Sequence, residues 1–166
     1  VPTIFNLLGP LTNPAGARHQ LLGVFAPELT DRLAAVLREL GSERAWVVHA
    51  DDGLDELSTI GRTRVSELRD GEIRTFHVGP EEAGVGYARL SDLQADTAED
   101  SANMIRLLLQ GKPGPVREIA VLNAAAALVV AGRVDELREG VALAEDAVES
   151  GRAERTLEML VRCSNE

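Results

Sequence analysis

Residues 20–49 read QLLGVFAPELTDRLAAVLRELGSERAWVVH, and this stretch decides the fold class. Gln20 to Phe25 is a short apolar run bounded by turn residues, as a buried strand would be. Pro27 suits the first turn of a helix, and Leu29, Leu33, Val36, Leu37 and Leu40 follow at helical spacing until Gly41 stops it. Ala45 to His49 is a second apolar run. A strand, a helix and a strand in that order imply parallel strands joined by a right-handed crossover. Both runs are continuous rather than alternating, which is how strands covered on two faces read.

Moving outward, Arg64 to Leu68 and Glu72 to Val78 alternate around Asp70-Gly71, a strong hairpin signal. Gly79 to Arg89, rich in Gly and Glu, reads as a loop. From Thr97 the pattern is helical, with segments expected at 97–110, 116–131, 134–149 and 151–163. The expected architecture is α/β: a mainly parallel sheet with flanking helices and an antiparallel hairpin.

Composition narrows the function classes. The 166 residues carry 27 acidic against 17 basic side chains, a net charge of −10. That balance repels a phosphate backbone, so nucleic acid is not an expected partner. It repels a polyphosphate substrate equally, unless a divalent cation sits between the two. No stretch is long and apolar enough to span a membrane. The single Cys163 has no internal partner for a disulfide and suits a reducing compartment, so the cytoplasm is expected. The chain begins Val1-Pro2-Thr3 and runs directly into a motif-like apolar segment, so it is expected to be a piece of a longer protein. On that reading strands that flank Gln20–Phe25 and Ala45–His49 would be missing, an edge would be left unpaired, and the isolated chain would be marginally stable or would associate.

Three motifs carry chemistry. Asp51-Asp52-Gly53-Leu54-Asp55-Glu56 follows the second strand directly, and ligands of parallel α/β sheets bind at strand C-termini. Carboxylates this crowded repel one another, and a hard cation such as Mg²⁺ relieves that; a solvated acidic turn is the other reading. Phe5-Asn6-Leu7-Leu8-Gly9-Pro10-Leu11-Thr12-Asn13-Pro14 joins a permissive glycine to stiffening prolines, suited either to a flat ligand or to a tight connection. Asn123 stands on an otherwise apolar helix beside Ala124 to Ala127, where its amide needs partners; a structural tether is expected. His19, His49 and His77 lack metal-ligand spacing, and His49 reads as a strand-end residue. Lys112 lacks the context of a phosphate-binding loop.

Thr3 to Pro14, then Val47-Val48-His49 leading to Asp52-Gly53-Leu54-Asp55-Glu56, then Leu122 to Ala126 and Glu139-Gly140, together resemble the anthranilate phosphoribosyltransferases over essentially the whole chain. The resemblance implies a nucleoside phosphorylase/phosphoribosyltransferase-like catalytic domain, of which residues 1–166 are the C-terminal portion. It implies transfer of the phosphoribosyl group from phosphoribosyl pyrophosphate to anthranilate in tryptophan biosynthesis. It assigns Mg²⁺ to Asp55 and Glu56, puts Asn6, Gly9 and Pro10 on the substrate side, and makes the whole enzyme a homodimer. Ala50 stands where the family has glycine, and Ser101-Ala102-Asn103 where it commonly has Asn-Ala. The family's glycine-rich pyrophosphate loop, Lys-His-Gly-Asn segment, anthranilate-binding arginine and N-terminal helical domain have no counterpart in these residues, so the chain alone is expected to be inactive. Two alternatives remain at this level: a nucleoside phosphorylase of the same superfamily, and a nucleic-acid-binding paralogue without the chemistry.

Overall fold

The computed structural model describes residues 8–166. Strand β1 (His19–Gly23) leads through helix α1 (Leu29–Glu39) to β2 (Arg44–Ala50). β3 (Thr63–Arg69) and β4 (Glu72–Val78) follow, then a short helix α2 (Pro80–Ala83) and four longer ones: α3 (Ala98–Leu109), α4 (Pro115–Val130), α5 (Leu137–Glu149) and α6 (Arg152–Ser164). The sheet order is β1-β2-β3-β4.

The strand–helix–strand reading of residues 20–49 holds: β1 and β2 pair in parallel, with Leu21 opposite Trp46. Helix α1 ends as its glycine requires, with Gly41 at φ +88° and the Ser42 N–H reaching back to the Leu37 carbonyl at 2.9 Å. β2 is buried along most of its length because it separates two cores. Ala45 and Val47 face α1 residues Leu33, Ala34 and Leu37, while Trp46 and Val48 belong to a second cluster with Val121, Leu122, Ala125 and Ala126 of α4. That three-layer arrangement is why the strand reads as continuously apolar.

The expectation of a mainly parallel sheet is corrected in proportion. Among the described residues only β1–β2 is parallel, and both β2–β3 and β3–β4 are antiparallel. The cause is the connection after β2: the chain returns through the acidic loop rather than through a helix, and a return without a crossover pairs antiparallel. The hairpin is part of the core, for Val65 and Leu68 of β3 are buried. Its turn is the one expected, with Asp70 at φ +53° and Gly71 at φ +80° closing a two-residue connection between paired Arg69 and Glu72. Residues 79–89, expected as loop, include the single-turn helix α2. Where α4 crosses α5, a Cβ on Gly140 would lie 2.8 Å from Ala125, so the two helices meet closely through a glycine and an alanine.

Candidate active site

The acidic segment leaves β2 at Ala50 and stands at the C-terminal end of the parallel pair. Asp51, Asp52, Asp55 and Glu56 each keep part of their surface in solvent, while the next three residues, Leu57, Ser58 and Thr59, are buried. The loop has no regular structure, yet its backbone is closely specified. Ala50 N–H donates to the Leu54 carbonyl at 2.9 Å and Asp51 N–H to the Arg62 carbonyl at 2.8 Å. Asp52 accepts from the Leu54 N–H at 3.1 Å and from the Ser58 hydroxyl, whose oxygen in turn accepts from the Ile60 N–H at 2.9 Å. Ser58 N–H donates to the Thr63 hydroxyl at 3.0 Å.

Contacts also reach the loop from distant segments, the Ala88 N–H to the Thr59 carbonyl at 2.9 Å among them. A Cβ built on Gly23, the last residue of β1, would lie 1.5 Å from the Asp55 carbonyl oxygen, so only glycine lets the loop lie where it does. From the other side, the Asn123 side chain of α4 grips Leu57. Its Oδ1 accepts from Leu57 N–H at 2.9 Å, and its Nδ2 donates to the Leu57 carbonyl at 2.8 Å and to the Ile119 carbonyl at 3.0 Å. This is the structural tether expected of Asn123. Gly23 was missed, although a glycine inside a strand is itself a signal of close backbone approach.

Partial burial raises the Glu56 carboxyl above its ordinary value, and the charges of Asp55 and Asp52 push the same way. A carboxylate held against like charges is stabilised by a cation. Among the described residues no group of three or more His, Cys, Asp and Glu side chains lies close enough to enclose a metal. Neighbouring Asp55 and Glu56 could therefore offer a cation two carboxylates and no further protein ligand of these types. That fits Mg²⁺, which takes one or two carboxylates and fills its remaining positions with water and substrate phosphates, and does not suit an ion needing an all-protein cage.

The other expected residues lie elsewhere. Gly9 and Pro10 open a 3₁₀ turn, Gly9–Thr12, and Asn6 is outside the described residues. Pro10 lines a cleft of about 330 Å³ with Leu11, Asn13, Arg18, Gln20 and Ser42, near the start of β1, whereas Asp55 meets its end. No hydrogen bond or ion pair among the described residues joins the two sets. His49 keeps the strand-end role expected of it: its Nδ1 lies 2.8 Å from the Val24 carbonyl, which only accepts, so that nitrogen carries the hydrogen. Cys163 is exposed on α6, and no helix described is long and apolar enough to cross a membrane.

The chain belongs to the glycosyl transferase family, a/b domain, whose pattern matches residues 1–154. Curated relatives in that family are anthranilate phosphoribosyltransferases. The one from Rhodopseudomonas palustris (strain HaA2) is 52% identical over 98% of this chain and 48% of its own length. The one from Rhodospirillum rubrum is 54% identical over 96% of this chain and 46% of its own. Among solved structures, anthranilate phosphoribosyltransferase from Thermus thermophilus superposes with a TM-score of 0.88 at 44% identity, covering 98% of this chain and 48% of that one. The Saccharomyces cerevisiae enzyme in complex with PRPP and Mg gives 0.84 at 30% identity, covering 95% and 46%. The chain spans about half the length of the curated relatives it matches.

Proposed function

We propose that this chain supplies the later part of the catalytic domain of a cytoplasmic anthranilate phosphoribosyltransferase that works as a homodimer. The reaction forms a bond from the anthranilate amine to C1′ of the ribose, breaks the bond from C1′ to pyrophosphate oxygen, and releases a proton. The single observation that carries this reading is 52% identity across 98% of the chain to an enzyme of that name, with the acidic pair held at a strand end. The yeast relative's complex with PRPP and Mg supports the substrate and the cation.

The chemistry needs positioning and charge stabilisation more than a covalent intermediate. Asp55 and Glu56 would hold Mg²⁺, which when bound neutralises charge on the pyrophosphate group. That cation also reconciles a chain of net charge −10 with a polyanionic substrate. Asn6, Gly9 and Pro10 would face anthranilate, the latter two from the rigid 3₁₀ turn. The hydrogen-bonded loop backbone would lower the ordering cost of cation and substrate binding at Asp55 and Glu56.

The test is a chimera in which this chain replaces the matching half of the Rhodopseudomonas palustris enzyme. We expect Mg²⁺-dependent loss of anthranilate fluorescence in the presence of phosphoribosyl pyrophosphate, none from the 166-residue chain alone, and a fall of about 100-fold or more in the Asp55→Asn, Glu56→Gln chimera. A folded but inactive chimera, or a double variant as active as its parent, rejects the proposal.

A further inference from the structure

We infer that Asn123 is a positioning residue for the Asp55–Glu56 cation site, so that cation affinity is set in part from helix α4. The inference rests on the proposed role of that pair and asks what keeps it in place. Leu57 directly follows Glu56, is 1% exposed, and has both backbone polar groups engaged by one side chain 66 residues away in sequence. A side-chain amide that accepts from an N–H and donates to the carbonyl of the same residue fixes the backbone there in position and in rotation. The third bond, from Nδ2 to the Ile119 carbonyl one turn earlier on α4, holds the amide's own orientation. Asn123 therefore couples a rigid helix to the residue next to the carboxylates.

Other groups do not replace it. The Asp52–Ser58 and Ser58–Thr63 hydrogen bonds are made within the loop and its exit, so they shape it without anchoring it to the helical layer. The Gly23 contact is a steric limit and carries no hydrogen bond. Without the Asn123 amide, Leu57 N–H and C=O are left buried and unpaired, and the loop gains by shifting until water reaches them. Such a shift moves Glu56 with it. Partners that orient metal ligands change affinity by about 10- to 100-fold when removed.

The experiment titrates Mn²⁺, standing in for Mg²⁺, into the 166-residue chain, following electron paramagnetic resonance of free Mn²⁺ and paramagnetic broadening of backbone amide signals. Four proteins are compared: the natural sequence, Asp55→Asn with Glu56→Gln, Asn123→Ala, and Gly41→Ala. The last strains the left-handed end of α1, at the other end of the sheet from the loop and away from α4, and so reports what general destabilisation does. We expect broadening centred on residues 52–57 in the natural sequence, its loss in the carboxylate variant, and affinity weaker by about tenfold in Asn123→Ala. Gly41→Ala should melt earlier with Mn²⁺ affinity unchanged. Should Asn123→Ala not fold, Asn123→Asp carries the same test, since it keeps the acceptor for Leu57 N–H, loses both donated bonds, and should weaken affinity by about tenfold. If the natural sequence and the carboxylate variant respond alike, the cation reading fails and this inference with it. If that reading holds but the Asn123 variant binds as tightly as the natural sequence, or Gly41→Ala weakens binding equally, only the inference about Asn123 is overturned.

Discussion

The loop 51–62 and helix α6 are similar in length and opposite in how they are held. The loop contains no helix or strand, yet Leu57, Ser58 and Thr59 are at most 1% exposed, and their backbone groups bond to Asn123 of α4, Thr63 of β3 and the Ala88 N–H respectively. Helix α6 is regular throughout and has no buried residue; Met159, Leu160 and Val161 are each more than half exposed. Its polar ties to the rest are few, chiefly Arg152 to Asp146 at 2.6 Å. Regular hydrogen bonding in a helix is local, so it survives little once contact with the core is weak. Order at the loop comes from paired backbone groups, even though the buried Thr59 hydroxyl finds no partner, and from steric fit between distant segments, and such order is lost when one contact goes.

Breaking the loop at its tightest contact should have the largest effect. Gly23→Ala places a methyl group 1.5 Å from the Asp55 carbonyl oxygen, and neither β1 nor the loop backbone can yield without losing hydrogen bonds. We expect a loss of about 3 kcal/mol in urea unfolding, at the upper end for overpacking, with Mn²⁺ affinity falling as the loop is displaced. Unfolding at the natural midpoint would show that the two segments do not touch in solution.

The opposite manipulation should matter less. Deleting residues 152–166 removes α6 and takes no member from either core. We expect the unfolding midpoint followed by Trp46, the lone tryptophan and 5% exposed, to fall by no more than about 1 kcal/mol. A loss of several kcal/mol would mean that α6 closes the core after all and that helix and loop are held alike.

The same contrast separates what was legible in the sequence from what was not. The β1–α1–β2 unit, the Asp70-Gly71 turn and the four longer helices are written in local periodicity and punctuation, and each lies within a few residues of its expected bounds. The share of antiparallel pairing was not, because it depends on whether the chain leaves β2 through a loop or a helix, and an acidic run does not announce its path. Asn123 could be read as needing partners, but not which, since they lie 66 residues away. Gly23, inside a strand, signals that some backbone comes close, but not that the backbone is that of Asp55. The acidic run was marked by its place after a strand, a local feature, and the resemblance singled out Asp55 and Glu56 within it. What secures it is long-range.

Glu56 permits the finest test, because here the charge itself can be removed with the loop left in place. Partial burial, then the charges of Asp55 and Asp52, raise its carboxyl above the ordinary 4.5. A carboxyl raised in the folded state favours folding fully only below its unfolded value, and that contribution is lost as pH rises through the folded value. At pH 7 the ionised side chain is therefore a small net cost to the cation-free chain. Glu56→Gln should raise stability there by about 0.5 kcal/mol, the scale of solvent-screened surface charge effects. The gain should shrink as the pH is lowered toward 4, where the natural carboxyl takes up its proton. Cation affinity must move the other way, weakening in the natural sequence on acidification because protons and Mn²⁺ compete for the same oxygen atoms. Urea midpoints of the two proteins at pH 7 and pH 4, without metal, decide it. A variant less stable at pH 7, by a margin that does not change with pH, would mean that Glu56 holds the loop through contacts of its own rather than straining it while it waits for a cation.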